Sequence, residues 1–502
     1  MRLIVRCVAA LGLAVILLAA ADCGSGSNSN SNNPFFSFPA ATVPLVRLST
    51  DTFTNSTSQH ATEVEPDSFS FGSTIVAAFQ VGRISSGGSS DIGFATSTDS
   101  GATWTNGFLP GLTTFFPAQG GGTNAAVSDA AVIHDAAHAT WIISSLTLSS
   151  SGATQVVVSR SNDGLNWGGP VLIGQGPNLD KDWITCDNTV TSSFYGHCYA
   201  QWDDHNQSNL IKMSTSSDGG LTWTPVVNIS GNADGIGGQP LVQPTGTVVV
   251  PLLSNSGQIE SFFSTDGGAS WSAPGQIANV ALHQVAGGLR TDPLPSAQID
   301  GAGNVYVVWQ DCRFRVNCSS NDLVMSVSAN GIHWTAPARI PIDSVTSTVD
   351  HFIPGLGIDP ATSDSTAHLG LTYYYYYPQA NCPPSTCALY VGFISSLDGG
   401  STWSAATPVA GPMMVSWLPA TFSGQMVADY IATSFANGKA YGVFAVAKAK
   451  SGTTFDEAIY TTQAGFDVAA AEARNSSAGE RPVPNAMSGH APARSYNIHP
   501  IR

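Results

Sequence analysis

Side chains that could carry chemistry are concentrated in a few short segments of a 502-residue chain in which charged residues make up only 10%. The acid–base candidates are Asp182, Asp204, Asp292, Asp311, Asp350 and His351. A protonated carboxyl and a second carboxylate can hydrolyse a bond, whereas a histidine beside a tyrosine can abstract a proton in an elimination. Both chemistries stay open at this point, and His205 is a second candidate base.

Cationic and aromatic side chains accompany these acids and bases. The ligand-binding candidates are Arg83, Asp91, Arg290, Arg313, Arg315, Tyr375 and Tyr377. Arginine binds anionic groups through charge-assisted hydrogen bonds, and a tyrosine ring offers a flat surface for stacking. The cysteine pairs lack the CxxC-like spacing of metal sites, so we expect neither a metal nor a cofactor.

A repeated string indicates which elements must position these residues. "STDSGATW" (97–104) returns in full as "SSDGGLTW" (216–223), "STDGGASW" (264–271) and "SLDGGSTW" (396–403), and one residue shorter as "SNDGLNW" (161–167) and "SANGIHW" (328–334). Its glycine permits the positive φ of a tight hairpin turn, and its aspartate can accept hydrogen bonds from backbone N–H groups in that turn. A reactive site needs one pocket, so six copies indicate a structural part.

The segments around the string predict an all-β fold, a β-propeller of four-stranded blades in which the string joins the third strand to the fourth. Three further strand-like segments, 426–435, 439–449 and 455–462, follow the last copy, and segment 42–50 precedes the first. Pairing of these four segments would complete a seventh blade by joining the two ends of the chain. We therefore predict seven blades, with six as the alternative.

The tryptophan of the string predicts how blades pack. We expect Trp104, Trp223, Trp271 and Trp403 to begin a fourth strand each. A large apolar ring at that place can fill the space against the next blade, so these side chains should be buried between blades.

The candidate residues fall in equivalent places of the repeated unit. They lie in loops that lead into a first strand or that join a second strand to a third, and in a propeller these loops share one face. We expect one cavity near the propeller axis to receive six side chains from different units: Asp182, Arg290, Asp292, Arg313, Asp350 and His351.

The repeated string resembles the Asp-box, or BNR, repeat of the sialidase superfamily, of the secreted bacterial type, over residues from about 40 to 465. The resemblance implies a six- or seven-bladed propeller. In that family, arginines bind the substrate carboxylate, an aspartate is the acid/base, and a tyrosine assisted by glutamate is the nucleophile. Arg83 and Asp91 match one family segment, whereas Val64 stands where the family has its first arginine.

The resemblance implies a glycan-active protein. We expect an exo-glycoside hydrolase acting on an anionic sugar. Two alternatives are a non-catalytic cell-surface propeller that binds glycan or protein, and a polysaccharide lyase. In a lyase, His351 or His205 would be the base beside a tyrosine, and an arginine would neutralise the uronate.

The first residues predict export. Arg2 and Arg6 precede the apolar run 7–21, which is typical of a signal peptide cleaved after Ala21. We expect a signal peptide at 1–21, a flexible linker at 22–40, the propeller at 41–465 and a mobile tail at 466–502. Cys23 leaves open a lipid anchor beside free secretion, and we expect no transmembrane segment in the mature chain.

Cysteine spacing and net charge complete the sequence picture. In an oxidising compartment we expect three local disulfides, Cys186–Cys198, Cys312–Cys318 and Cys382–Cys387. A net charge of −16 argues against nucleic acid and anionic membrane as partners. We expect a monomer whose partner is carbohydrate.

Overall fold

A computed structural model describes residues 40–118, 121–149, 152–376 and 382–469. The signal peptide, Cys23, Tyr377 and nearly all of the predicted tail lie outside the described residues. Within them, no helix has the length and apolar character needed to cross a membrane. The helical elements are four short 3-10 turns: His205–Gln207, Val316–Cys318, Asp364–Thr366 and Val415–Trp417.

The described strands form antiparallel units that follow one another along the chain, and a pairing of Ser89 with Val127 joins the first two units into one eight-stranded sheet. After β1 (Leu45–Arg47), the first unit contains β2 (Glu63–Phe71), β3 (Thr74–Arg83), β4 (Ser89–Ser97) and β5 (Thr105–Phe108). The second contains β6 (Ala126–Asp135), β7 (Thr140–Ser149), β8 (Gly152–Ser161) and β9 (Val171–Gln175). The third contains β10 (Leu179–Cys186), β11 (Cys198–Asp204), β12 (Leu210–Ser216) and β13 (Val227–Asn228).

The later units repeat this order. The fourth contains β14 (Gly235–Ile236), β15 (Leu241–Val242), β16 (Val248–Ser254), β17 (Gln258–Ser264) and β18 (Gly275–Asn279). The fifth contains β19 (Ser296–Ile299), β20 (Val305–Asp311), β21 (Asp322–Ser328) and β22 (Ala338–Arg339). The sixth contains β23 (His351–Ile358), β24 (Leu369–Tyr376), β25 (Ala388–Ser396) and β26 (Thr407–Met414).

The seventh unit joins the two ends of the described chain. After the hairpin β27 (Ala420–Thr421) and β28 (Gly424–Gln425) come β29 (Ala432–Ala436), β30 (Lys439–Ala447), β31 (Glu457–Thr462) and β32 (Phe466–Asp467). β29, β30 and β31 pair in order, and β1 pairs antiparallel with β31. The predicted joining of the ends is therefore present, and it covers the outer edge of β31.

The innermost strands of the units contact one another in cyclic order, which makes the fold a β-propeller. β2 contacts β6 and β29, and β6 contacts β10. β10 contacts β15, β15 contacts β19, β19 contacts β23, and β23 contacts β29. The number of blades stays the prediction made from the sequence.

Each repeated string forms a turn held by its own polar side chains. Ser97 and the backbone N–H of Thr103 donate to Asp99 Oδ1 at 2.8 Å, and the Thr103 hydroxyl donates to Asp99 Oδ2 at 2.6 Å. The Thr103 hydroxyl, first among these donors, lowers the pKa of Asp99 to about 2. Asp218, Asp266 and Asp398 accept equivalent bonds. The string is therefore a structural turn.

The tryptophans of these turns depart from expectation in two ways. Trp271 and Trp403 are buried, whereas Trp104 and Trp223 are only half-buried. The ring of Trp271 makes an edge contact with Tyr199 of the preceding unit, so the ring packs backward rather than against the next unit. Trp104 directly precedes β5, but the other three lie in the turn ahead of β13, β18 and β26. In these three copies the turn extends past the tryptophan, and the fourth strand begins four residues after it.

Replacing Asp218 with alanine is expected to lower the free energy of unfolding by about 1–2 kcal/mol, because four hydrogen bonds inside the turn are lost. Urea denaturation measures the change. Asp467→Ala is the matched control, since Asp467 is an exposed aspartate in a surface ion pair with Lys439. Equal stability of both variants would show that the turn network is not a stabilising part.

The three predicted disulfides are present, and each closes a short loop. Cys186 bonds Cys198, Cys312 bonds Cys318 and Cys382 bonds Cys387. Cys186 and Cys198 sit directly opposite each other on β10 and β11. The disulfides therefore shape individual loops and do not connect units.

Two buried glutamates lie where the ends of the chain meet. Glu63 on β2 accepts a 2.6 Å hydrogen bond from Ser49, whose hydroxyl in turn accepts the backbone N–H of Ile459 on β31. Burial raises the pKa of Glu63 to about 7, and burial with Glu63 nearby raises that of Glu457 well above its usual range. Both side chains are thus more easily buried as neutral acids.

The Glu63 carboxyl is expected to make stability fall as pH rises. The unfolded chain releases this proton near pH 4.5 and the folded chain near pH 7, so rising pH favours unfolding across that window. The loss is on the order of 3 kcal/mol. Glu63→Gln should lack that part of the loss in urea titrations at pH 4.5 and pH 8. Parallel pH profiles for the two proteins would contradict this reading.

Candidate functional site

Irregularities in the innermost strands turn polar side chains toward the propeller axis. The pairing register shifts between Val64 and Asp67 in β2, between Ser128 and Ala130 in β6, and between Asp180 and Trp183 in β10. The extra residues Glu65, Asp129 and Lys181 have φ angles of 53°, 43° and 48°. A β-bulge re-aims a side chain in this way, at some cost in backbone strain. Three neighbouring units thus bring their bulge residues together.

These side chains form a buried charged group with two further residues, which precede the innermost strands of the fifth and seventh units. Lys181 Nζ lies 2.7 Å from Asp429 Oδ2 and 3.3 Å from Glu65 Oε1. Asp129 Oδ2 is 3.5 Å from the same nitrogen. Arg290 donates to Asp429, and each of these five side chains is at most 9% exposed. We call Glu65, Asp129, Lys181, Arg290 and Asp429 the axial cluster.

The carboxyls of the axial cluster have opposite protonation preferences. Burial raises the pKa of Glu65 to about 8, although Lys181 counteracts it. Burial also acts on Asp429, but Arg290 and Lys181 outweigh it and hold the pKa of Asp429 well below its usual range. Burial also raises the pKa of Asp129, the third carboxyl of the cluster. The surroundings therefore favour the neutral form of Glu65 and the ionised form of Asp429. Such a pair can supply both an acid and a base.

A small cavity adjoins the cluster. It has a volume of ≈10 Å³, room for about one water molecule, and its polar lining comes from Lys181, Asp182, Gln239 and Tyr430. Burial raises the pKa of Asp182 well above its usual range, so burial favours the neutral form of this carboxyl beside the axis. Trp183 also lines the cavity and meets Tyr430 edge-on at 5.1 Å.

Four sequence-predicted residues border this site or lie in it. Asp182 and Arg290 are described above, and Asp292 is exposed but close enough to help raise the pKa of Arg290. Arg83 is buried, donates to the carbonyls of Ile84 and Gly88, and lies within electrostatic reach of Glu65. The axis therefore collects three cations, Arg83, Lys181 and Arg290.

Other sequence-predicted residues form a second group in the fifth unit. Asp311 accepts hydrogen bonds from Trp309 Nε1 and from the backbone N–H of Ala281. Arg313 donates to both oxygens of Asp311, at 2.9 and 2.6 Å, and to the carbonyl of Asn279. This pair fastens the loop after β20 to the fourth unit.

A third group lies between the fifth and sixth units. Arg315 lies 2.5 Å from Asp322 and 2.6 Å from Asp343, and Arg339 contacts the same two aspartates. His351 lies 3.9 Å from Asp343 and stacks on Tyr375 with ring centroids 6.1 Å apart. The guanidinium groups of Arg315 and Arg339 already pair with both carboxylates. The two carboxylates are therefore better suited to these arginines than to a metal ion.

The remaining candidates make local contacts. Asp350 accepts the backbone N–H of Asn321 at 2.7 Å and contacts His283 at 3.0 Å. Asp204 accepts from Asn206 and Gln207 and so caps the short helix after β11. Asp91 accepts from the backbone N–H of Ile92 and from Thr113 at the contact between the first and second units.

Of the six side chains expected in one cavity, Asp182 lines the cavity beside the axial cluster and the other five do not. Asp182, Arg290 and Asp292 lie at the axis, but Arg313 belongs to the second group, and Asp350 and His351 lie at the contact between the fifth and sixth units. The physical reason is local pairing: a buried charge is held by its nearest partner, here Asp311, His283 or Asp343.

Four residues of the axial cluster were not predicted from the sequence: Glu65, Asp129, Lys181 and Asp429. The same is true of Tyr430, whose ring lies next to Lys181. One signal was readable: "EVEPD" and "DKDW" place charges inside strands that are otherwise buried. A strict two-residue alternation gives no indication of a bulge, and the bulge is what turns Glu65 and Lys181 to the axis.

Comparison with known proteins adds fold-level likeness. No protein-family model and no curated protein matches the sequence. Among solved structures the chain is similar to a Hadza microbial sialidase (16% identity, TM-score 0.39), covering 80% of this chain and 66%, just under two thirds, of that one. It is similar to an ulvan lyase, with 11% identity and a TM-score of 0.48 over 84% of this chain and 96% of that one. It is also similar to an intramolecular trans-sialidase from Ruminococcus gnavus, with 14% identity and a TM-score of 0.38 over 79% of this chain and 92% of that one. At these identities and TM-scores the neighbours carry no conclusion about activity.

Proposed function

We propose that the protein is a glycan-active propeller that hydrolyses the bond to a terminal, anionic sugar at the axial cluster. One observation carries the proposal: Glu65, whose pKa is raised, and Asp429, whose pKa is lowered, both contact one ammonium nitrogen, Lys181 Nζ, beside Arg290. Glycoside hydrolysis requires a protonated acid and a second carboxylate on either side of the scissile bond. Glu65 and Asp429 share a hydrogen bond in the free protein, and the proposal requires that a sugar replace it.

The geometry assigns a role to each side chain. Lys181 and Arg290 bind the anionic group of the sugar in place of part of their contact with Asp429. Glu65 gives its proton to the glycosidic oxygen as the bond to the anomeric carbon breaks, and Asp429 stabilises the positive charge that develops on the ring. A water molecule then bonds the anomeric carbon and returns its proton to Glu65, which restores the starting state.

The test is a panel of reporter glycosides with neutral and anionic terminal sugars, offered to the purified protein. We expect turnover of an anionic member only. Arg290→Gln should weaken its binding by about 1.5–3 kcal/mol, since a charge-assisted contact is lost. Arg313→Gln is the comparison, because a larger loss there would move the ligand to the second group. Thermal denaturation of each variant checks that it is folded.

A non-catalytic glycan-binding propeller is the second candidate. The burial of the axial cluster and its internal charge pairing favour it, because neither needs a reacting ligand to be satisfied. Binding without turnover across the whole panel would select this function. Absence of both binding and turnover would reject both.

A polysaccharide lyase is the third candidate, and the third group favours it. Burial lowers the pKa of His351 to about 4, so the imidazole is neutral and able to accept a proton beside Tyr375 and Arg315. A lyase leaves an unsaturated sugar that absorbs in the ultraviolet, whereas a hydrolase does not. Release of that product from a uronate polymer, lost in His351→Ala, would replace the hydrolase proposal.

We also propose that the protein acts outside the cytoplasm. Three disulfides in loops that need shaping support it, because such bonds persist in oxidising compartments. Fractionation of the producing cell, with globomycin treatment to reveal lipid attachment, separates free secretion from anchoring. Recovery in the cytoplasm would contradict the proposal.

A further inference from the structure

The connection between the sixth and seventh units lies across the axial cluster. Residues 418–428, which we call the strap, contain the hairpin β27–β28 and lead directly into Asp429 and Tyr430. The strap contacts loops that lead into the first and fifth units, and these two units are not neighbours in the ring. It therefore spans the face on which the cluster would otherwise open.

Few hydrogen bonds hold the outer part of the strap. Ala420 exchanges two with the side chain of Gln59, at 2.9 and 3.1 Å. Gln425 exchanges two backbone bonds with the segment Gly288–Arg290, at 2.8 and 2.9 Å. Phe422 at the hairpin tip is 43% exposed. A short hairpin with solvent-accessible bonds belongs to the part of a structure that opens at low cost.

The inner part of the strap covers cationic side chains. Met426, Val427 and Ala428 are fully buried, and Met426 Sδ accepts a 3.2 Å hydrogen bond from Arg83 Nε. The backbone N–H of Arg290 donates to Gln425. Lifting the strap would therefore remove a contact of the Arg83 guanidinium group and a backbone contact of Arg290.

We propose that the strap is a lid, and that it must lift before a ligand reaches the axial cluster. Each side chain of the axial cluster is at most 9% exposed, so no sugar reaches these side chains while the strap is in place. The inference rests on the proposed function for the ligand, but opening itself is a property of the chain alone. Lids of this kind exclude water from a charged site when they close.

Hydrogen exchange followed by mass spectrometry tests the lid without any ligand. In the wild-type protein, amides of 418–428 should exchange faster than those of β2 and β6. Gln59→Ala removes both bonds to Ala420 and should speed exchange in 418–428 by roughly tenfold, with a smaller increase around Asp429. Gln276→Ala is the matched control. In the described contacts, the side chain of Gln276 bonds only the side chain of Asn279, and both residues lie on β18 of the fourth unit.

The outcomes separate the lid from the proposed function. The lid is overturned if the strap amides exchange only through global unfolding and their exchange rate is the same in Gln59→Ala. It is also overturned if Gln59→Ala speeds exchange in the strap but not around Asp429. Turnover measured in parallel should rise in Gln59→Ala if opening limits access. A faster-exchanging strap in a protein that turns over no glycan would leave the lid standing and remove the hydrolase proposal.

Discussion

Lys181→Met is expected to lower the free energy of unfolding by about 3–5 kcal/mol, because it leaves buried carboxyls without their shared cation. Lys181 Nζ contacts Glu65, Asp129 and Asp429 within 3.5 Å, and its side chain is only 4% exposed. Methionine fills similar volume, so the change isolates the charge. Guanidinium denaturation with parallel fluorescence and circular dichroism measures it.

Lys439→Met is the control for that change. Lys439 also pairs with an aspartate, Asp467, but both side chains are exposed, so no measurable loss is expected. Wild-type stability in Lys181→Met would mean that the carboxyls of the axial cluster are neutral or solvated without the lysine. That result would remove the ionised Asp429 on which the proposed hydrolysis depends.

Glu65→Gln is expected to lower kcat by about 100- to 10,000-fold on any glycan that the protein hydrolyses, because the variant cannot give a proton to the leaving oxygen. Binding should persist, since glutamine resembles the neutral acid in shape and hydrogen bonding. Glu65 must be protonated to act, and its pKa is about 8, so wild-type turnover should fall as pH rises through that value. Steady-state kinetics across pH and direct binding measurements check both statements.

Asp182→Asn is the comparison for Glu65→Gln. Both side chains are buried carboxyls beside the axis whose pKa burial raises, but of the two only Glu65 forms an ion pair with Lys181. Loss of kcat in Asp182→Asn with full activity in Glu65→Gln would give the proton-donating role to Asp182. Full activity in both variants would show that neither Glu65 nor Asp182 donates the proton, and the proposed hydrolysis at the axial cluster would be rejected.

The parts of the fold that could be predicted from sequence are those with local causes. The serine, aspartate and threonine of "STDSGATW" bond one another within a few residues, so the string alone indicates the turn. The paired cysteines are close in sequence, and the spacing of the last strand-like segments indicated that β1 would meet β31. Each inference needed only neighbouring residues.

The candidate site had non-local causes and was predicted only in part. Arg290 finds Asp429 across 139 positions, and Lys181 finds Glu65 across 116. Arg313 and Asp350 were placed correctly in loops of the right type, but they pair with Asp311 and His283 and not with the axial cluster. A loop position limits where a side chain can be, whereas the choice of partner depends on the folded ring.

The most direct test of the axial site is a crystal structure of Glu65→Gln with the anionic glycan that the wild-type protein binds. We expect the anionic group of the terminal sugar within hydrogen-bond distance of Lys181 or Arg290, with the strap displaced. A sugar bound instead beside Arg313, beside Arg315 and His351, or on the face of the repeated turns, with the axial cluster unchanged, would contradict it.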